Sequence, residues 1–222
     1  MELVNTSAIV TGGASGLGAA AAHALAARGV AVFALDLERA VAGARPHPGI
    51  RYLSCDVTSP EDVGRAVDAA QRGGIPLRIV VNCAGIGPSA RILGRSGPHD
   101  LALFERVVRI NLCGTFNVLA TAAAVIAEQS ADEFGQRGVI VNTASIAAFE
   151  GQVGQSAYAA SKGGVAALTV VAARDLAQYG IRVCTIAPGI IDTPMLAGVG
   201  AEFRQSLAAG VPFPQRLGTP AE

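Results

Sequence analysis

This sequence predicts a single α/β domain built on a doubly wound parallel sheet, and three observations carry that prediction. Short aliphatic runs alternate with longer helical stretches along the chain. Hydrophobic residues make up 51% of the sequence and aromatics only 5%, so the excess is aliphatic, mostly Ala and Val. Strands covered on both faces by helices have this composition. The chain has 222 residues, and one domain of that size buries roughly 70–75% of its unfolded surface without needing staples.

The first buried strand is expected at Ser7–Thr11, followed by a glycine-rich turn and a helix over Leu17–Arg28. Val30–Asp36 and Arg51–Ser54 are the second and third strands, with Gly43–Gly49 as a surface loop between them. A helix over Pro60–Gln71 is announced by Ser59, a capping residue followed by proline at the first helical position. Ile79–Asn82 is the fourth strand; after a Gly94–Pro98 loop, a long helical pattern covers Leu101–Glu128. Val139–Thr143, a helix over Ser156–Tyr179 and Ile181–Ile186 complete the alternation. Strand–helix–strand units of this kind cross over right-handedly and give a parallel sheet covered on both faces. There is no internal repeat or linker, so residues 1–222 form one domain.

Seventeen basic and seventeen acidic residues cancel. That balance gives no electrostatic reason to expect nucleic acid or an anionic membrane as partner. The apolar segments are too short or too interrupted to span a bilayer. The N-terminus lacks a basic flank and long apolar run, so no signal peptide is expected. Cys55, Cys83, Cys113 and Cys184 form no C-x-x-C pair and lie near no histidine cluster. They read as small buried thiols in a reducing compartment, with no metal site, and a cytoplasmic location follows. His23, His47 and His99 have no partners at catalytic or metal spacing.

The turn after the first strand reads Thr11-Gly12-Gly13-Ala14-Ser15-Gly16-Leu17-Gly18 and opens a helix. Glycine there lets the backbone turn tightly and approach a pyrophosphate, which free N–H groups and the helix dipole hold. Asp36 ends the second strand about 20 residues further on, where a carboxylate can bond both ribose hydroxyls and repel a 2′-phosphate. Leu37 and Glu38 follow without a basic residue, and Ser15 offers no guanidinium, so NAD is expected over NADP. The plain alternative is Asp36 as a strand-end cap. Cys55-Asp56-Val57 closes the third strand, where Asp56 could meet the adenine amino group. Asn82-Cys83-Ala84-Gly85 closes the fourth, where small residues leave room for adenosine.

Tyr158-Ala159-Ala160-Ser161-Lys162 places a phenol and an ammonium at i and i+4 on one helix face. An ammonium beside a phenol favours the phenolate and lowers its pKa from about 10. Ser145 follows the fifth strand at the same sheet edge and could hold a substrate oxygen while the phenol exchanges the proton. Asn111 interrupts the long helical pattern, and its side chain or carbonyl could hold a water linking Lys162 to solvent. Taken singly, Ser145 reads equally well as a helix cap and Asn111 as a helix irregularity.

As a set, TGGASGLG, CDV, NCAG, Asn111, Ser145, YAASK and Ala187-Pro188-Gly189 resemble the short-chain dehydrogenase/reductase family from Ser7 to Thr193. The resemblance implies a Rossmann sheet and a nicotinamide cofactor. It assigns Ser145 to orienting the substrate, Tyr158 to acid/base transfer, Lys162 to the ribose and to tuning Tyr158, and Asn111 to a proton relay. The segment after Pro188-Gly189 would close over the nicotinamide, with Ile191 and Thr193 at its carboxamide. Gln136–Gly164 and Val211–Glu222 are similar to the short-chain 3-hydroxyacyl-CoA dehydrogenases that also oxidise hydroxysteroids. That similarity puts Gln155 beside the substrate and implies an acyl-CoA or other apolar alcohol or ketone as substrate, a role in lipid metabolism, and assembly as a homodimer or homotetramer. Members continue after Pro-Ala-Glu with a helix and a final strand, so the numbered chain is expected to lack both. Two other readings compete: an NADPH-dependent 3-oxoacyl-carrier-protein reductase, which Asp36 disfavours, and a non-catalytic NAD-binding scaffold or sensor, which would not need Tyr158 and Lys162. Ala201–Pro214 reads either as a mobile lid over an apolar substrate or as an ordinary surface helix.

Overall fold

The computed structural model describes residues 3–72, 74–198 and 200–222. The chain runs β1 (Ser7–Thr11), α1 (Gly16–Ala26), β2 (Ala31–Asp36), α2 (Glu38–Ala42), β3 (Ile50–Ser54), α3 (Pro60–Gln71) and β4 (Leu77–Asn82). It continues through β5 (Leu93–Gly94), β6 (Gly97–Pro98), α4 (Leu101–Val108), a π-helical turn (Arg109–Cys113), α5 (Gly114–Ala127) and β7 (Gly138–Thr143). A short 3₁₀ turn (Ile146–Ala148), α6 (Ser156–Ala177), β8 (Ile181–Ile186), a second 3₁₀ turn (Pro194–Leu196) and α7 (Ala201–Ala209) follow.

Six strands form one parallel sheet in the order β3-β2-β1-β4-β7-β8. The order reverses at β1, and in such sheets ligands bind in the crevice outside the strand carboxyl ends at that point. One face packs Ile9, Val80, Ile140 and Val183 against α3, α5 and α6 through Val63, Val118, Ile126 and Ala172. The other packs Val10, Val32 and Ala34 against α1 through Ala22. At roughly 25 cal/mol per Å², each fully buried Val, Leu or Ile contributes about 1.5–3 kcal/mol before its entropy is charged.

The α3 cap forms as expected: the Ser59 side chain accepts from Asp62 N–H, with Pro60 in the first turn. Several expectations need correction. β3 and β8 are edge strands and are only half covered; along β8, Ile181 and Val183 are buried while Arg182 and Cys184 face out. Cys184 on that outer face and Cys113 on the π turn are therefore exposed thiols. The Gly94–Pro98 loop is a two-residue-strand hairpin, Leu93 pairing with Pro98 and Gly94 with Gly97.

The pattern over 101–128 forms one continuous helical run of 27 residues, Leu101–Ala127, long and apolar enough by length and composition to cross a membrane. Here Val107, Val118, Leu119, Ala122 and Ile126 are buried in the protein, so the apolar character serves the core. His23 and His47 meet edge to face with ring centroids 5.0 Å apart, a contact their separation in sequence conceals.

Candidate active site

The carboxyl ends of the strands open into one cleft of about 640 Å³. At its adenosine end, Gly12 has φ +63°, and a Cβ there would lie 3.0 Å from the Ala84 nitrogen. Gly18 is more constrained still: a Cβ would sit 2.2 Å from the Gly12 carbonyl oxygen. These glycines let the loop fold back on the first turn of α1, so the N–H groups of Gly16, Leu17 and Gly18 begin the helix at the cleft wall. The Ser15 side chain, which precedes them, makes no cap bond and is free to meet a ligand.

Thr11 fastens the floor: its Oγ1 accepts from both Cys83 N–H and Ala84 N–H at 3.1 Å. Asp36 accepts from Ala14 N–H (3.1 Å) and Leu37 N–H (2.9 Å), so it is the strand-end cap considered above and also lines the cleft. A carboxylate has about four acceptor sites, so two bonds leave room for a diol. One Asp56 oxygen accepts from Thr58 N–H and Oγ1, leaving the other for an amino donor. Val57, Ala84 and Gly85 complete this end. Asn82 is not among the residues that line the cleft; buried in the sheet, it donates from Nδ2 to Asn142 Oδ1 at 2.9 Å.

At the other end, β7 delivers Thr143 and Ser145, and the first turns of α6 deliver Tyr158 and Lys162. Ser145 caps the 3₁₀ turn, its Oγ accepting from Ala147 N–H at 3.1 Å. That bond uses a lone pair and leaves the hydroxyl hydrogen to donate. Lys162 is buried and donates from Nζ to the Thr143 carbonyl at 2.6 Å, with Nζ 5.8 Å from the Tyr158 ring centroid. Burial lowers the Lys162 pKa to about 8, opposed by Cys83. Burial also raises the Tyr158 phenol above its ordinary value, and the Ser145 side chain beside it offsets part of that rise. The direction is opposite to the lowering expected from a neighbouring ammonium, because desolvation of the phenolate outweighs the effect of Ser145.

Asn111 lies behind the site in the π turn, fully buried. Its Oδ1 accepts from Ile86 N–H (2.8 Å), and its Nδ2 donates to Ile86 O (2.9 Å) and Ser161 Oγ (3.0 Å). The side chain thus makes three bonds within the protein, while the backbone carbonyl accepts from Thr115 Oγ1 (2.7 Å). A carbonyl has two lone pairs, so one remains.

Gln155 precedes α6 at the cleft wall, its Oε1 accepting from Gln152 N–H at 3.0 Å. Pro188 accepts from Ile146 N–H, and Gly189, Ile191 and Thr193 run past the same opening. Sequence reasoning missed Thr143 and Ile86 as cleft residues, whereas Phe203 and Leu207 fall in the Ala201–Pro214 segment that it read as a possible lid. Thr143 alone carried a signal, as the last residue of a strand at the carboxyl edge. Among the described residues no three His, Cys, Asp or Glu side chains gather where a metal ion could be held.

The glycine cradle, the free helix-terminal N–H groups and the spare lone pairs of Asp36 fit a dinucleotide. A fold and site of this kind define an oxidoreductase working with a bound nicotinamide cofactor. The family model for short chain dehydrogenase matches residues 6–203. The 3-hydroxyacyl-CoA dehydrogenase type-2 of Bos taurus is 47% identical over 220 residues, 97% of this chain and 84% of that protein. The cis-4-hydroxycyclohexanecarboxylate dehydrogenase of Sinomonas cyclohexanicum is 39% identical over 97% of this chain and 84% of its own length. The crystal structure of 3-hydroxyacyl-CoA dehydrogenase type-2 from Mycobacterium avium superposes with a TM-score of 0.89 at 42% identity, covering 100% of this chain and 87% of that one. The chain belongs to the short chain dehydrogenase family and is an enzyme of that kind.

Proposed function

We propose that the protein oxidises an apolar secondary alcohol with NAD⁺, and reduces the ketone in reverse, the substrate being a 3-hydroxyacyl-CoA. The observation that carries the reading is the meeting of a Ser145 hydroxyl, a Tyr158 phenol and a buried Lys162 ammonium above the glycine-rich cleft. Ser145 donates its hydrogen to the substrate oxygen and fixes it beside the phenol. Ionised Tyr158 takes the alcohol proton as the carbinol carbon gives up its hydride. A nicotinamide cofactor, which the glycine turn and Asp36 would hold, would supply the hydride acceptor. Lys162, with a pKa of about 8, can exchange a proton at neutral pH, and the remaining lone pair of the Asn111 carbonyl positions a water to carry it outward.

Asp36 at the adenosine end supports NAD over NADP, through ribose hydroxyls held and a 2′-phosphate repelled. The acyl-CoA assignment is supported by the relatives' names and by the apolar wall of Ile86, Met195, Phe203 and Leu207. Exposed Phe116 on α5 and exposed Val170 and Val171 on α6 support self-association as a dimer or tetramer. The test measures turnover of acyl-CoAs, hydroxysteroids and small alcohols with NAD⁺ and with NADP⁺, for the parent and Asp36→Ala. The parent should prefer NAD⁺ and 3-hydroxyacyl-CoA, and Asp36→Ala should weaken NAD⁺ by about tenfold while raising relative use of NADP⁺. Equal use of both cofactors by the parent would reject the role given to Asp36.

A further inference from the structure

We infer that Arg204 is a positioning residue that latches α7 over the cleft, with Asp192 as its catch. α7 contributes Phe203 and Leu207 to the cleft wall, yet none of its residues is buried. These two side chains sit at i and i+4, on one face of the helix. A nine-residue helix is marginal in isolation, and apolar packing this shallow does little to fix its rotation. Its flanking glycines add no anchorage: a Cβ at Gly200 would meet nothing within 4 Å, and one at Gly210 would meet only carbonyls of α7 itself.

Arg204 supplies the missing attachment. Its Nη2 lies 2.6 Å from Asp192 Oδ1, and its Nη1 donates to the Leu196 carbonyl at 3.3 Å. Both partners belong to the strap that follows Pro188 and carries Ile191 and Thr193. The catch itself is held firmly: Asp192 N–H donates to the Gly218 carbonyl (2.8 Å), and Gly218 N–H donates to the Ile190 carbonyl (3.0 Å). An anchored acceptor thus faces a donor on a weakly packed helix. Because Arg204 directly follows Phe203, seating the guanidinium turns Phe203 and Leu207 toward the substrate opening.

The two side chains are 31% and 53% exposed, so water screens the pair and its effect is about two- to fivefold in a population. That is enough to set how often a marginal helix is docked, and apparent affinity falls with the docked fraction. The latch therefore determines specificity for apolar length. A long acyl chain reaches α7 and gains from its docking, while a short one ends before it. This consequence rests on the acyl-CoA reading above.

The experiment uses Asp192→Asn, Arg204→Gln, the double variant and Arg204→Lys, each as the full chain. Amide hydrogen exchange is read over α7 in the cofactor-free protein, together with KM and kcat on short- and long-chain 3-hydroxyacyl-CoAs with NAD⁺. Each single variant should exchange faster in α7 and raise KM about two- to fivefold for the long chain only, with kcat little changed. The double variant should be no worse than Arg204→Gln alone, and Arg204→Lys should recover part of the loss. Unchanged exchange over α7, or single effects that multiply in the double variant, overturns the latch. If no acyl-CoA is turned over, the acyl-CoA reading fails, while the exchange data still decide the latch on their own.

Discussion

Burial acts on Tyr158 and Lys162 in opposite senses, raising the phenol and lowering the ammonium, so each charged form is disfavoured. The phenolate needed for oxidation should therefore form with difficulty in the free protein. Comparing the ultraviolet titration of the parent with that of Tyr158→Phe should place this residue above the usual value of about 10. Adding NAD⁺ should lower it, and the variant should lose about 10²–10⁴ of turnover with NAD⁺ affinity retained. A variant as active as the parent would remove Tyr158 from the mechanism.

Lys162 leaves a separate mark on stability. Between pH 8 and 10.5 the unfolded chain still holds a proton on this lysine that the folded chain has released. Raising the pH across that window therefore stabilises the fold, by at most about 3 kcal/mol from this group at roughly 1.4 kcal/mol per unit. Cys55, raised by burial to about 12 from 9.0, works the other way above pH 9. The measurement is therefore a difference. Denaturation midpoints of the parent should gain on those of Lys162→Met as the pH rises through the window, and parallel curves would refute the assignment.

The β1–α1 turn shows how closely backbone and ligand site are coupled. Gly18→Ala would drive a methyl into the Gly12 carbonyl, an oxygen that cannot move without shifting the turn. The expected cost is about 1–3 kcal/mol of stability, with at least a tenfold loss of cofactor affinity by isothermal titration; an unaffected variant would mean that the loop does not carry the phosphate. This turn was legible in the sequence because glycine spacing, strand and helix all coincide there. The four inner strands were legible because aliphatic residues crowd them. Other features left no periodic trace. The five-residue α2 is too short to display a face, and β5 and β6 are two residues each. The π turn is one such case: a shift from i−4 to i−5 bonding hides inside an apolar run, and Asn111 was its only hint. Side-chain commitments were equally hidden, as the pairing of Asn82 with Asn142 illustrates. Residue type says that an amide will find partners, but not which ones. Ala201–Pro214 contains α7, an exposed surface helix whose Phe203 and Leu207 line the cleft.

Across the assembled domain, apolar surface left over after folding points outward from α5 and α6. Sedimentation of the parent should give a dimer or tetramer, and Phe116→Glu with Val170→Glu should shift it toward the monomer, since a charge forced into an apolar contact costs several kcal/mol. A monomeric parent would assign those side chains to other work. The reversal of strand order at β1 has a broader consequence. Residues Gly12 to Val57, on one flank, meet the adenosine end of the cleft, while Ser145 to Leu207, on the other, meet the reacting end. Choice of coenzyme and choice of alcohol are thus written on separate stretches of chain, joined mainly by the carboxyl end of β4. Such a division lets mutation retune one preference while leaving its counterpart intact, a freedom built into the topology itself.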